Sequence, residues 1–478
     1  MPHSAGPLVV GVDSSTQSAT ALVVDAGTGE VVARGRAPHR VSDGPGRESD
    51  PEQWWSALGA ALGQCGRAAR NAAAVSVAGQ QHGLVTLDGR GAPVRPALLW
   101  NDVRSAPQRD RLAGLLGGPA AWAERVGSVP APAFTVTKWA WLREHEPEAA
   151  DATAGVRLPH DFLTERLTGR ATTDRGDVSG TGWWTAATGT YDEEVLGLVG
   201  LDRDLLPDIL APGEPAGELR AALPDLPLRP GTLVAAGTGD NMAAALGLGL
   251  RPGLPVLSLG TSGTVYAVSE HRPADPTGTV AGFADARGDW LPLACTLNCT
   301  LAVDRIAGLL GRDREAVESG GSVVALPFLD GERTPDLPDA AGLLTGLRHD
   351  TTAGQILQAA YDGAVHSLLT ALDKVLDTDA DPAAPLLLIG GGAAGRAWRE
   401  TVRRLSGRPV LVPEAQDLVA LGAAAQAAGL LTGEDPAAVA RRWGADRGPL
   451  FDALPRDTET VHRITATLDR AGPVLGPR

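Results

Sequence analysis

Asp240 stands in the run Gly237-Thr238-Gly239-Asp240-Asn241, an acid framed by glycines. Alone, that arrangement would mean little. A second glycine- and hydroxyl-rich turn follows at Leu259-Gly260-Thr261-Ser262-Gly263, and the chain opens with a similar one, Val12-Asp13-Ser14-Ser15-Thr16-Gln17. Taken singly, the Asp13–Gln17 turn reads as an Asx-type hairpin turn and the Gly260–Gly263 turn as a Gly-rich hairpin. Taken together, they set carboxylates beside turns whose backbone N–H groups and hydroxyls suit an anion. The chemistry they point to is phosphoryl transfer, with Asp240 as the base that accepts a hydroxyl proton and Asp13 ordering a magnesium ion, directly or through water. A further turn, Gly390-Gly391-Gly392, follows the apolar run Leu386-Leu387-Leu388-Ile389. Without side chains it lets a flat adenine or ribose approach the backbone, although by itself it is an ordinary strand-to-helix connection.

The lysines narrow the options. There are only two, Lys138 and Lys374. A Walker loop needs a lysine directly after its glycines, and a protein kinase needs one on a strand near its Gly-rich loop. Neither lysine has such a context, so both common nucleotide-kinase architectures are excluded. The formal net charge of −15 and the lack of a basic stripe argue against nucleic-acid or membrane partners. ATP stays open to an acidic chain, because backbone N–H groups and a bound metal supply local positive potential. Three cysteines, Cys65, Cys295 and Cys299, make no disulfide framework and no zinc cluster. With 43% hydrophobic and 21% charged residues, no basic leader and no long apolar run, the chain reads as a soluble, cytoplasmic protein.

At 478 residues, two or three domains are expected. Leu8 to Val12 reads as a strand entering the Asp13–Thr16 turn, followed by strands at Thr20–Asp25 and Val31–Ala33. Val256–Leu259, the 260–263 turn and Thr264–Val268 repeat that design, with Thr16 and Thr261 in matching places, which suggests an internal duplication. Trp54, Leu58, Ala61 and Leu62 recur at helical spacing over 51–70, with Asp50 as N-cap and Pro51 in the first turn. Ala74 to Gly79 is a further strand, an alanine-rich helix follows Asp417, and another helix starts from Arg456. Pro227, Pro230 and Gly231 mark a boundary. The expected domains are 1–231, 232–455 and a C-terminal helix over 456–478 that packs back on them.

This order of turns resembles the actin/hexokinase/Hsp70-type ATPase fold, and within it the FGGY carbohydrate kinases. The segments that carry the resemblance are Val77-Ala78-Gly79-Gln80-Gln81-His82-Gly83, Leu99-Trp100-Asn101-Asp102 and Leu158-Pro159-His160-Asp161-Phe162-Leu163, then the Asp240 and Thr261 turns, Gly331-Glu332-Arg333-Thr334-Pro335, and Ile389 to Ala393. The resemblance implies an α/β fold of two ribonuclease H-like domains with an interdomain cleft. It makes Asp240 the catalytic base and places Asp13 and Asp240 near magnesium. Thr16, Gln17, Gly260 and Thr261 match phosphate turns, while Gly391, Gly392 and Arg396 match the adenosine site. Gln81, His82, Trp100, Asp102, Asp240 and Asn241 match sugar-contacting segments. The family's usual Met before the histidine is Gln81 here, a change that bears on the sugar contacts. Ser15 replaces a usual glycine in the first turn.

The implied reaction is ATP-dependent phosphorylation of a ketose, D-xylulose, at its C5 hydroxyl. A kinase for ribulose, gluconate or another polyol is the nearest alternative. Glycerol is disfavoured, because the glycerol-type members carry an Arg-Glu pair where this chain has Gln81-His82. An Hsp70- or actin-like ATPase without a sugar substrate is the alternative from another class, and a homodimer is one assembly open to such a chain.

Overall fold

The computed structural model describes residues 6–42, 46–376 and 380–475. The described chain divides into two compact units. The first comprises residues up to Arg251, Arg272–Leu291 and Ala415–Asp446, and the second comprises Pro252–His271, Pro292–Glu414 and the chain from Arg447. The units thus part after Arg251, not at the expected 231/232 boundary. The first also takes back a segment from late in the sequence.

In the first unit the sheet order is Pro215–Glu218, Leu233–Ala235, Ala72–Gly79, Leu8–Ser14, Ser18–Asp25 and Val31–Pro38. The Leu8–Ser14 strand alternates its apolar residues between two buried faces, as a central strand must. Val10 and Val12 join Trp54, Leu58 and Leu62 of the Pro51–Arg70 helix in one core cluster. Val9, with Leu22 and Val24, meets Ala420, Ala424 and Ala428 of the Leu418–Thr432 helix in another. Asp50 caps the Pro51–Arg70 helix through its carboxylate, which accepts from Glu52 N at 3.0 Å. The alanine-rich helix after Asp417 exists as expected, but it packs in the first unit, because only small residues fit where it lies. A Cβ on Gly11 would sit 1.9 Å from the Ala420 carbonyl oxygen. Gln426, on the same helix, accepts from Ser76 Oγ at 2.6 Å and donates to Gly237 O at 3.1 Å, so its buried amide has partners at both ends.

The second unit repeats the strand–turn–strand device. Pro255–Leu259 and Gly263–Ala267 pair antiparallel, and Leu386–Ile389 runs parallel beside the first of them. The sheet continues in the order Trp290–Thr296, Gly263–Ala267, Pro255–Leu259, Leu386–Ile389, Val410–Leu411 and Leu450–Phe451. The last helix, Thr458–Leu475, places Ile464, Ala471 and Leu475 against Val324, Leu326 and Phe328 of this unit. No described helix is long and apolar enough to cross a membrane.

Candidate active site

Three parallel strands of the first unit end side by side. Asp13 and Ser14 lie level with Ala78 and Gly79, which lie level with Thr238 and Gly239. The next residues along each strand are the Ser15–Gln17 turn, Gln80–His82, and Asp240–Asn241. Their meeting is therefore a consequence of register, and it occurs where open α/β sheets bind ligands. Asp240 opens the Asp240–Gly247 helix, whose N-cap is Gly239.

The Asp240 carboxylate has two unlike oxygens. Oδ1 accepts from Asn241 N at 2.8 Å and from Asn241 Nδ2 at 3.0 Å. Oδ2 accepts none among the described residues. Burial, then the charges of Asp13 and Asp177, push the Asp240 carboxyl up from an ordinary 3.8 to about 7, against the Asn241 N–H. Burial likewise lifts Asp13 to about 6, with Asp417 adding to the shift and the Ser15 hydroxyl opposing it. That hydroxyl donates to Asp13 Oδ1 at 2.6 Å. Among the described residues no group of three or more His, Cys, Asp or Glu is placed to hold a metal.

His82 has a backbone φ of 64°, a conformation unusual for a residue with a side chain. Its Nδ1 lies 2.9 Å from Gly180 O. A carbonyl only accepts, so Nδ1 carries a proton, which in the neutral tautomer leaves Nε2 as an acceptor. Phe134 and Phe283 hold the ring at centroid distances of 5.0 and 5.4 Å. Trp100 is 42% exposed and donates from Nε1 to Thr16 Oγ1 at 3.1 Å, tying the tryptophan to the first turn. Gln17 is exposed beside it.

Asp102 differs from the other expected sugar contacts. It is buried, and its oxygens accept from Arg47 N, Arg104 N and the Arg104 guanidinium. Those bonds outweigh burial and hold its carboxyl below the usual range. Its carboxylate is thereby committed within the protein, where it fixes the loop that carries Trp100.

A cluster that sequence reasoning did not single out backs the site. His160 is fully buried, with Nδ1 2.9 Å from Asp177 Oδ2 and Nε2 3.1 Å from Asp161 Oδ1. Burial opposes a charge on this ring, but Asp161, Asp177 and Asp174 outweigh it and raise it to about 9. Asp174 also accepts from Thr238 Oγ1 at 2.7 Å. His160 and Asp161 stood inside a quoted motif, and the acids 174 and 177 border an otherwise apolar and glycine-rich stretch. Those were the available signals.

In the second unit, Ser258 lies level with Ile389, so the 260–263 and 390–392 turns leave one sheet edge together. Gly260 O accepts from Thr300 N at 3.1 Å and from Thr300 Oγ1 at 2.7 Å. Thr261 is exposed. Gly390, with φ 83°, and Gly392 press on Leu259; a Cβ on Gly392 would lie 2.7 Å from that side chain. Gly391 has open space where a Cβ would project. Arg396 starts the Arg396–Ser406 helix with its side chain exposed.

The sequence matches two family models, the N-terminal domain of the FGGY family of carbohydrate kinases over residues 8–247 and the C-terminal domain over 256–430. It is 75% identical over 475 residues to a xylulose kinase of Streptomyces coelicolor, covering 99% of this chain and 98% of that protein. A xylulose kinase of Streptomyces rubiginosus is 73% identical over the same shares. The crystal structure of xylulose kinase from Bifidobacterium adolescentis superposes with a TM-score of 0.84 at 34% identity, covering 97% of this chain and all of that one. With models matching most of both halves and relatives alike from end to end, the chain belongs to the FGGY family of carbohydrate kinases.

Proposed function

We propose that this protein transfers the γ-phosphoryl group of ATP to the C5 hydroxyl of D-xylulose, giving D-xylulose 5-phosphate and ADP, with Asp240 as the general base. A kinase uses ATP, and relatives at 75% and 73% identity carry the name xylulose kinase. The observation that carries the base assignment is the asymmetry of Asp240. Asn241 holds Oδ1 from two donors and leaves Oδ2 to accept a proton. A carboxyl raised to about 7 is near the working range of a general base. His82, Trp100 and Asn241 contact the sugar, with His82 Nε2 accepting from one of its hydroxyls, while Gln81 stands behind them. Asp102 serves that side of the site by fixing its loop.

Thr16, Gln17, Gly260 and Thr261 are assigned to the nucleotide phosphates. Gly391, Gly392 and Arg396 line the adenosine. Asp13 and Asp240 would hold Mg²⁺: their oxygens are hard donors, and two carboxylates plus phosphates and water are what this ion usually takes. When bound, the ion neutralises phosphate charge. The residues supply positioning and the proton acceptor, which is most of what phosphoryl transfer asks of a protein. On this reading the protein works in the cytoplasm, as a monomer or a homodimer.

An ADP-release assay across pentuloses, hexuloses, glycerol and gluconate tests the reading. D-Xylulose is expected to give the highest kcat/KM, by at least about tenfold, a margin of some 1.4 kcal/mol. A better alternative sugar would overturn the substrate assignment. ATP turnover undiminished without sugar would overturn the kinase assignment itself.

A further inference from the structure

The Gln81 side chain is only 4% exposed and is turned inward. Its Oε1 accepts from Asn241 Nδ2 at 2.7 Å, and the same Nδ2 lies 3.0 Å from Asp240 Oδ1. The other end of the amide faces Asp177. A Cβ on Gly239 would lie 2.6 Å from Gln81 Cγ, 3.0 Å from Gln81 Cδ and 3.1 Å from Asp177 Oδ1, so both side chains occupy the space that glycine vacates. Gln81 offsets part of the burial penalty on the Asp177 carboxyl, and Gln81 Nε2 and Asp177 Oδ1 are both buried beside one another without a direct hydrogen bond. The amide can be turned only this way, because the reverse would set its oxygen against a carboxylate. Asp177 is in turn held by His160 at 2.9 Å.

We infer that Gln81 is a positioning residue for the proton acceptor: its amide oxygen holds Asn241, and through it Asp240, while its buried amide packs beside the Asp177–His160 pair. The inference rests on the reading of Asp240 as the base. A side chain that met the sugar would contribute to binding. One that braces the base contributes to turnover, because small displacements of a reacting group are costly in rate. A methionine at this position has nearly the same length but offers Asn241 only a weakly accepting sulfur in place of an amide oxygen. The brace is thus a property of this chain's own glutamine.

The test is steady-state kinetics of Gln81→Met, Asn241→Ala and the double variant, with Asp240→Asn alongside and thermal melts to establish folding. Gln81→Met is expected to lower kcat about tenfold while the KM for D-xylulose moves less than twofold. In the Asn241→Ala background the same change is expected to have little further effect, because its route to Asp240 is already cut. A raised KM with unchanged kcat would overturn the inference and make Gln81 a sugar contact. Losses that multiply in the double variant would overturn the route through Asn241. Near-normal turnover of Asp240→Asn would remove the base itself, an outcome distinct from either.

Discussion

Gly422 and Ala243 face one another on two helices with no room for a side chain between them: a Cβ on Gly422 would lie 1.8 Å from the Ala243 carbonyl oxygen. Gly247, on the same helix as Ala243, meets Leu418 O in the same way, at 2.1 Å. Because Asp240 begins that helix, the glycines set where its carboxylate stands. Gly422→Ala is expected to force the helices apart, at a cost of about 1–3 kcal/mol. The Tm falls, and kcat falls about tenfold or more at temperatures where the variant is still folded. Thermal melts paired with turnover at 20 °C separate the two losses, and wild-type values for both would mean the contact is not tight.

Replacing Asp240 tests the proposed base directly. Asp240→Asn keeps the shape and the Asn241 bonds to one oxygen but removes the basic site. It is expected to lose at least about 10² in kcat, the lower end of what general bases contribute. Folding and ATP binding remain, as circular dichroism and calorimetric titration would register. Turnover within a few-fold of wild type would exclude the role.

The same substitution has a second signature, in stability. Folded Asp240 keeps its proton to about pH 7, whereas its ordinary value is 3.8. Across that window the native state binds more protons than the unfolded one, so stability falls as pH rises through it. Without metal or nucleotide, Asp240→Asn is expected to melt higher than wild type by roughly 2–4 °C at pH 8. The gap should shrink as pH falls from 7 towards 4. A gap independent of pH would show that Asp240 is not strained by its charge.

His82 separates backbone from side-chain demands. At φ 64° a β-branched residue is poorly tolerated, whereas Asn adopts this conformation more readily. His82→Val is expected to be less stable than His82→Asn by roughly 1–2 kcal/mol. Both are expected to raise the KM for D-xylulose, because both remove the imidazole acceptor. Denaturant unfolding and sugar titration check the two halves, and equal stabilities would discount the backbone argument.

Local elements were legible where composition and periodicity agree. Asp50, Pro51 and the apolar spacing of Trp54, Leu58 and Leu62 give the Pro51–Arg70 helix its start and its buried face. The hairpins around Thr16 and around Thr261 follow from β-branched runs broken by polar turns. The alanine-rich helix was legible as a helix but not by address. A helix apolar on nearly every side announces burial without saying beneath which sheet, and the answer lies in Gly11, whose missing side chain lets the helix approach. Asp240 and His82 were visible because turn chemistry surrounds them. Asp102 stands in a loop motif, and only the Arg104 contact reveals that its carboxylate is already taken. The Asp177–His160 pair joins residues of two separate helices, Arg175–Val178 and Pro159–Thr168, a contact with no local pattern to betray it.

The late return of Ala415–Asp446 to the first unit gives this protein an awkward birth. On the ribosome, the strands carrying Val9, Leu22 and Val24 emerge long before the helix that covers them. At about 5–20 residues per second that interval is on the order of ten seconds or more. During it the nascent sheet has one greasy face bare and Gly11 has nothing to shelter beneath. Expression yield should therefore depend on chaperones that guard such a face, and an early stop that removes the helix should be harsher than the small size of the lost segment suggests.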